Sequence, residues 1–422
     1  MKLKADIWGS LLACMLFTGV FAPTRTALNA QMASPNGVPT APNISAQVQA
    51  GIDEDVSRHL GDVAKDPGPR AKLSWATTPP AVRQAMQKVA EWELKRAQPY
   101  FDQSWTWSVL DIGLMAASRE LNDPRYRNAM QAMAEKYHWK LGAEDTAGRG
   151  WPDNNDQALA QTYLELYFLD PRPERISPTR KGLDNWFSAR MPPIPDDQFQ
   201  ILWWWCDTLF MGPPAWAEMA KATHDSKYLD YLDKHWWETS GALYDSQYRL
   251  FYRDKSFIGQ KDRAGKPIFW SRGNGWVIGG LARTLEYMPK SYQGRGRFEE
   301  QMREMAKELA SIQDKNNGLW HSDLLDPADY PHPEVSGSAL ITLGVAWGVN
   351  HGVLDRTTYA PVAARAWRGL VNEIYADGRL GNIQQTDGAP NHYLPGSSYN
   401  FGVGAFLLAG EQVAHLGEQG KK

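Results

Sequence analysis

A chain of 422 residues with 43% hydrophobic side chains can bury one large core or two average ones. Its formal net charge of −3, spread over interspersed acidic and basic residues, excludes nucleic acid or an anionic membrane as the organising partner. The 19 Trp and 17 Tyr suit a carbohydrate cleft, because aromatic faces pack on the C–H faces of sugar rings; a Trp-rich helical core gives the same composition.

Residues 1–30 read as an export signal, with Lys2 and Lys4 ahead of a mostly apolar run over 7–22 and small residues at Ala22, Ala27 and Ala30. The run is short for a membrane span. Leu11-Leu12-Ala13-Cys14 resembles a lipoprotein cleavage box, but the apolar run continues past Cys14, which favours secretion to the periplasm or outside over a lipid anchor. Once the signal is removed Cys206 is the only cysteine, which excludes an intramolecular disulfide and a cysteine-type zinc site. Residues 31–77 are rich in Pro, Ser, Asn and Gly and read as a flexible linker with one short helix near 56–63. Folded structure is expected over 78–418, opening with Thr78 as a cap, Pro79 in the first turn, and Val82, Met86 and Val89 at helical spacing.

Six segments then repeat one pattern, an aromatic or polar cluster followed by an apolar Ala/Gly/Leu-rich helix: 105–121, 153–169, 205–223, 272–288, 334–352 and 396–416. Charged amphipathic helices lie between them, for example 227–237 and 297–312. Alternation of buried with exposed helices predicts an all-α fold, an (α/α)6 barrel. Asp123, Asp225 and Asp355 each follow an inner segment and suit the N-cap of the returning outer helix. In such a barrel the clusters that open the inner helices converge at one mouth, bringing together Trp105, Trp107, Trp151, Asp156, Trp205, Asp207, Arg272, Trp276, Glu334 and Tyr399. A short hairpin is expected within 241–254.

Asp207 sits in Trp203-Trp-Trp-Cys-Asp-Thr-Leu-Phe-Met211, where desolvation disfavours its charged form and raises its pKa toward that of a general acid. The alternative is an Asp that caps the following helix. Asp156 is a second mouth carboxylate or an N-terminal helix charge. Arg272 is suited to a substrate carboxylate, or to bridging buried carboxylates of the barrel.

Gly150-Trp-Pro-Asp-Asn-Asn-Asp-Gln157, the block around Asp207, Trp270-Ser-Arg-Gly-Asn-Gly-Trp276 and Glu334-Val-Ser-Gly-Ser338 together resemble, in order, the unsaturated rhamnogalacturonyl hydrolases of glycoside hydrolase family 105. The resemblance runs from about Thr78 to Leu416. It implies an (α/α)6 barrel that removes a 4,5-unsaturated uronic acid from the non-reducing end of lyase-generated acidic oligosaccharides. It also implies Asp207 as general acid/base, Asp156 as the second acidic position, Arg272 on the substrate carboxylate, and Trp270 and Trp276 beside the ring. Trp107 and Trp205 are further candidate sugar contacts. Residues 250–254 read Leu-Phe-Tyr-Arg-Asp where relatives carry a His-Gly-Trp-Asp-like segment, so Arg253 replaces a histidine that would touch the sugar. Inside the pocket Arg253 would suit an acidic or sulfated sugar; pointing away, it would pair with Asp254 or Glu238.

Neither a phosphate loop nor convincing metal-ligand spacing is present, and 153–156 lacks the downstream Gly and Glu of a calcium loop, so chemistry without cofactor or metal is expected. The competing readings are an inverting glycosidase using Asp207 and Asp156, a sugar epimerase, which would need paired mouth histidines, and a non-catalytic sugar-binding protein.

Overall fold

The computed structural model describes residues 60–142, 154–188 and 201–419. The export signal, most of the linker, Trp151 and Asp153 lie outside them. Within them the helices are α1 (Pro79–Ala97), α2 (Trp105–Leu121), α3 (Pro124–Lys136), α4 (Gln157–Leu169), α5 (Pro173–Trp186), the short α6 (Thr208–Met211), α7 (Pro213–Thr223), α8 (Lys227–Leu243), α9 (Ser271–Tyr287), α10 (Arg295–Ser311), α11 (Val335–Asn350), α12 (Arg356–Asn372) and α13 (Asn400–Gln419).

Helices α2, α4, α7, α9, α11 and α13 pack in that order and α13 returns to α2, closing a ring. Helices α1, α3, α5, α8, α10 and α12 lie outside it against their inner neighbours, which makes the fold the expected (α/α)6 barrel. Sequence explains the two layers. Every residue of α11 from Val335 to Val349 is buried, and this helix is apolar or small on all faces. By contrast α1 buries a single stripe, Val82, Ala85, Met86, Val89 and Ala90, and leaves its other face to solvent. Each large side chain of such a stripe contributes about 1.5–3 kcal/mol on burial.

The turns away from the mouth follow the repeated aspartates. Asp123 accepts from Arg125 N at 3.0 Å, Asp225 from Lys227 N at 3.1 Å and Asp355 from Thr358 N at 2.8 Å. Asn122 and His224, the residues before two of them, take the left-handed conformation that ends the inner helix. Thr78 occupies the N-cap of α1, but its side chain makes no capping bond there.

Three further expectations need correction. The third inner segment is two helices, because Pro213 has no N–H to continue the ladder and the chain breaks at Gly212. Residues 60–77 are no free linker: Asp62–Val63 (β1) pairs with Ser397–Ser398 (β4), and Ala71 N donates to Ile374 O at 2.8 Å. Asp62–Val63 is therefore strand where the end of a helix was expected. The hairpin is shorter than 241–254, with only Tyr244–Asp245 (β2) against Leu250–Phe251 (β3), since 241–243 belong to α8.

The ring closes where α2 meets α13 with backbone against backbone. A Cβ on Gly113 would stand 2.5 Å from Gly404 Cα, so a methyl group there has to push two helices apart. Gly113→Ala should therefore cost about 1–3 kcal/mol or more. Gly241→Ala, on exposed α8 with open space at its Cβ, should gain about 0.5–1 kcal/mol. Thermal denaturation of the two variants checks the pair, which should shift Tm in opposite directions.

Candidate active site

Close contacts gather the N-terminal ends of the inner helices. A Cβ on Gly273 of α9 would be 3.1 Å from Cys206 Sγ, and one on Gly337 of α11 would be 2.7 Å from Arg272 N. One on Gly212 would be 2.6 Å from Gln157 Oε1 of α4. Beneath this mouth lies an aromatic floor. Trp105 contacts Phe401 at 5.4 Å and Trp276 at 6.1 Å, and Trp276 contacts Phe210 at 4.9 Å, joining four of the converging helices.

Asp207 heads the helix that carries Phe210 of this floor, with 14% of its side chain exposed. It occupies the N-cap of α6, yet its side chain makes no capping bond, so the alternative role of helix cap is not the one it plays. Oδ2 lies 3.5 Å from Cys206 Sγ and 3.9 Å from Arg253 Nε. Burial pushes the carboxyl pKa above its ordinary value and outweighs the opposing pull of Arg253 and Arg272. The result is a carboxyl group near solvent that holds its proton more tightly than an ordinary aspartate.

Arg253 enters the mouth. Its backbone O accepts from Cys206 N at 2.8 Å, fixing the chain beside Asp207. Its Nη1 donates to Asp254 Oδ2 at 2.6 Å, and its guanidinium lies over Trp204, 5.3 Å from the ring centre. Asp254 is itself held by Ser256 N at 2.8 Å and Ser256 Oγ at 2.5 Å. Both alternatives for Arg253 are thus realised at once, entry into the pocket and pairing with Asp254.

Arg272 is placed differently from expectation. It is fully buried, with Nη1 donating to Gln384 O at 2.8 Å and to Ser336 Oγ at 3.3 Å, and Nη2 to Gln385 O at 2.7 Å. Its guanidinium lies over Trp270 at 4.4 Å and Phe401 at 4.9 Å, and Glu334 Oε1 is 4.0 Å away. In this arrangement it braces the segment at 384–385 rather than facing a ligand. Trp270 joins that brace, donating Nε1 to Gln384 Oε1 at 3.1 Å. Trp107 and Trp276 are each 1% exposed, packed against Phe101 and within the floor, so neither forms a sugar shelf here. Trp205 is half-buried, and Thr208 Oγ1 donates to its backbone O at 2.6 Å. Asp156 opens α4 without a capping side-chain bond and lies against Gly142, where a Cβ would be 2.7 Å from its Cγ.

Sequence reasoning took Phe210 and Trp204 as surroundings of Asp207 without separate roles, and passed over Phe401 of the floor and the segment 384–388 that walls the mouth. Their later roles, Phe210 in the floor and Trp204 under Arg253, are set by packing. The wall has no local signal, because its place depends on partners about 50 to 114 residues away.

Cys206 is fully buried, and burial next to Asp207 pushes its thiol well above the ordinary range. Cys206 should therefore resist iodoacetamide at neutral pH in the native protein and become labelled only on unfolding. Mass spectrometry of labelled protein with and without denaturant checks this.

The sequence pattern of Glycosyl Hydrolase Family 88 matches residues 75–416. The chain is 38% identical over 355 residues to a protein of Formosa agariphila named unsaturated 3S-rhamnoglycuronyl hydrolase, covering 79% of this chain and 90% of that one. Among solved structures, one named as a polysaccharide lyase superposes with TM-score 0.73 at 31% identity, covering 79% of this chain and 96% of the other. Another, a glycosyl hydrolase family 88 protein from Bacteroides vulgatus, superposes with TM-score 0.74 at 29% identity, covering 80% and 99%. Barrel, mouth acid and these likenesses agree: the chain belongs to glycosyl hydrolase family 88 and is an unsaturated uronyl glycoside hydrolase.

Proposed function

We propose that this hydrolase acts by hydration of the C4=C5 double bond, with Asp207 as the acid, on an unsaturated uronate linked to rhamnose. The rhamnose is suggested by the name of the Formosa agariphila relative. The observation that carries the mechanism is Asp207 itself, a desolvated carboxyl at the mouth with its pKa raised and its side chain making no helix-capping bond.

The steps balance without a cofactor. The Asp207 carboxyl protonates C4, and positive charge develops at C5, shared with the ring oxygen. Water adds to C5 and returns a proton to the Asp207 carboxylate. The hemiketal so formed opens to a C5 ketone, which leaves a hemiacetal at C1 that releases the remaining sugar chain. Asp156 is proposed to orient the water or a sugar hydroxyl, and half-buried Trp205 to flank the ring. Arg272 is assigned a supporting role, since its donors hold the wall of the mouth. Residues 1–30 further support export to the periplasm or beyond, where lyase products of acidic polysaccharides would be met.

Asp207→Asn is the direct test. General acid/base loss should lower kcat roughly 10²–10⁴-fold, read as loss of the ultraviolet absorbance of the conjugated double bond in lyase-generated oligosaccharides. A rise in that absorbance on saturated polysaccharide would instead indicate β-elimination, the chemistry for which one structural neighbour is named. No change on any unsaturated substrate would defeat the proposal.

The pH dependence follows from the same group. The folded pKa of Asp207 is raised, so the folded chain holds this proton more tightly than the unfolded one. Its favourable contribution is present below the ordinary carboxyl pKa and is lost as pH rises through the folded value. Catalysis by the protonated acid should fall over that same rise. At neutral pH Asp207→Asn should leave Tm unchanged or raise it, so inactivity of this variant will not be a folding defect.

A further inference from the structure

Arg253 is the cation beside the acid, and its hydrogen bonding is incomplete. Nη1 is anchored on Asp254, which Ser256 holds in turn. Nε is buried with no hydrogen-bond partner among the described residues, and its distance to Asp207 Oδ2, 3.9 Å, is too long for a hydrogen bond. The side chain keeps 24% of its surface exposed in the mouth, between Trp204 below and Gly388 of the wall, where a Cβ would come within 3.4 Å of Arg253 Cζ. With Nη1 anchored and Nε buried, Nη2 is the nitrogen on the accessible side of the guanidinium, and a charged N–H donor left there is suited to an oxyanion entering the mouth.

We propose that Arg253 is a specificity residue that takes an oxyanion carried by the substrate on its open edge and thereby loosens its own attraction for Asp207. The proposal rests on the hydrolase reading above and deepens it. Two substituents share the required chemistry, a sulfate ester on the sugar being released and the carboxylate of the unsaturated uronate. The groups facing Asp207 are Cys206, Arg253 and Arg272, and those facing Arg253 are Asp207, Asp254 and Cys206. Of the two cations, Arg272 is fully buried and committed to Gln384 and Gln385, so Arg253 is the one a substrate anion can reach and neutralise. With the free enzyme Arg253 favours the Asp207 carboxylate; with an anion bound it does so less, and the acid is protonated when the right substrate is present. A neutral sugar would leave that cation unopposed and the acid weaker in proton delivery.

The test compares wild type, Arg253→Met and Arg253→Lys on three unsaturated disaccharides: sulfated, desulfated, and sulfated with the uronate as methyl ester. Removing the anion that Arg253 reads should lower wild-type kcat/KM roughly tenfold to hundredfold. Arg253→Met should show a drop of that size on the intact substrate and no further drop when the same anion is removed, with Arg253→Lys between. A sensitivity that follows sulfate assigns the sulfate ester, and one that follows esterification assigns the carboxylate. The descending limb of kcat/KM against pH, which reports free enzyme, should move to higher pH in Arg253→Met, while that of kcat moves less.

An equal loss on all three substrates with unmoved pH limbs would overturn the proposal. Should Arg253→Met fold poorly by its thermal melt, Arg253→Lys on the same three substrates decides, because a short point charge cannot reproduce the guanidinium. If wild type turns over none of the three, the hydrolase reading fails and not the role of Arg253 alone.

Discussion

The acid role proposed for Asp207 requires a carboxyl group kept protonated while two guanidiniums stand near it. Burial is the largest influence on Asp207 and outweighs Arg253 and Arg272, and the helix that Asp207 heads is tied through Phe210 to the aromatic floor of Trp276, Trp105 and Phe401. The floor in turn depends on inner helices that approach closely at their N-terminal ends. Gly273 meets Cys206 and Gly337 meets the backbone of Arg272, contacts that a side chain at either glycine would obstruct.

The second constraint is on the wall. Arg272 and Glu334 are both fully buried, yet their 4.0 Å separation is wider than a hydrogen bond. Each is satisfied mainly by other groups: Arg272 by the carbonyls of Gln384 and Gln385, Glu334 by Ser336, Gly337 and the N–H of Gln384. Both residues therefore grip the same segment from two inner helices. Burying two charges contributes little net stability, but the grip fixes the segment whose Gly388 lies against Arg253. The buried pair thus acts on the site at one remove, through the wall.

The barrel was legible because its repeat is physical. An inner helix is apolar on every face and an outer one on a single stripe, and an aspartate starts the return helix at three of the turns. Asp207 was legible from its aromatic neighbours in sequence. What local sequence did not reveal is orientation. Trp107 and Trp276 carry the same composition whether they face a sugar or a neighbouring helix, and only the packed ring decides for the helix. Arg272 sits in a motif that suits a ligand carboxylate, while its actual partners lie more than 60 residues away. The docking of 60–77 was hidden for the same reason, since a Pro- and Gly-rich stretch gives no sign of a strand partner at Ser397–Ser398.

Asp207 and Glu334 both occupy the N-cap of an inner-ring helix, and the difference between them explains why one can be an acid. Glu334 heads a helix of 16 residues and accepts from Ser336 N and Gly337 N. Its carboxylate oxygens are committed to these amides, to Ser336 Oγ and to Gln384 N, which fixes it as part of the wall. Asp207 heads a helix of four residues that breaks at Gly212 and Pro213, and it takes no capping bond. The break in the third inner segment is thus more than an irregularity of the barrel. It accompanies a mouth carboxyl on which burial and the two arginines act in opposite directions, a balance that the proposed anion on Arg253 would tip.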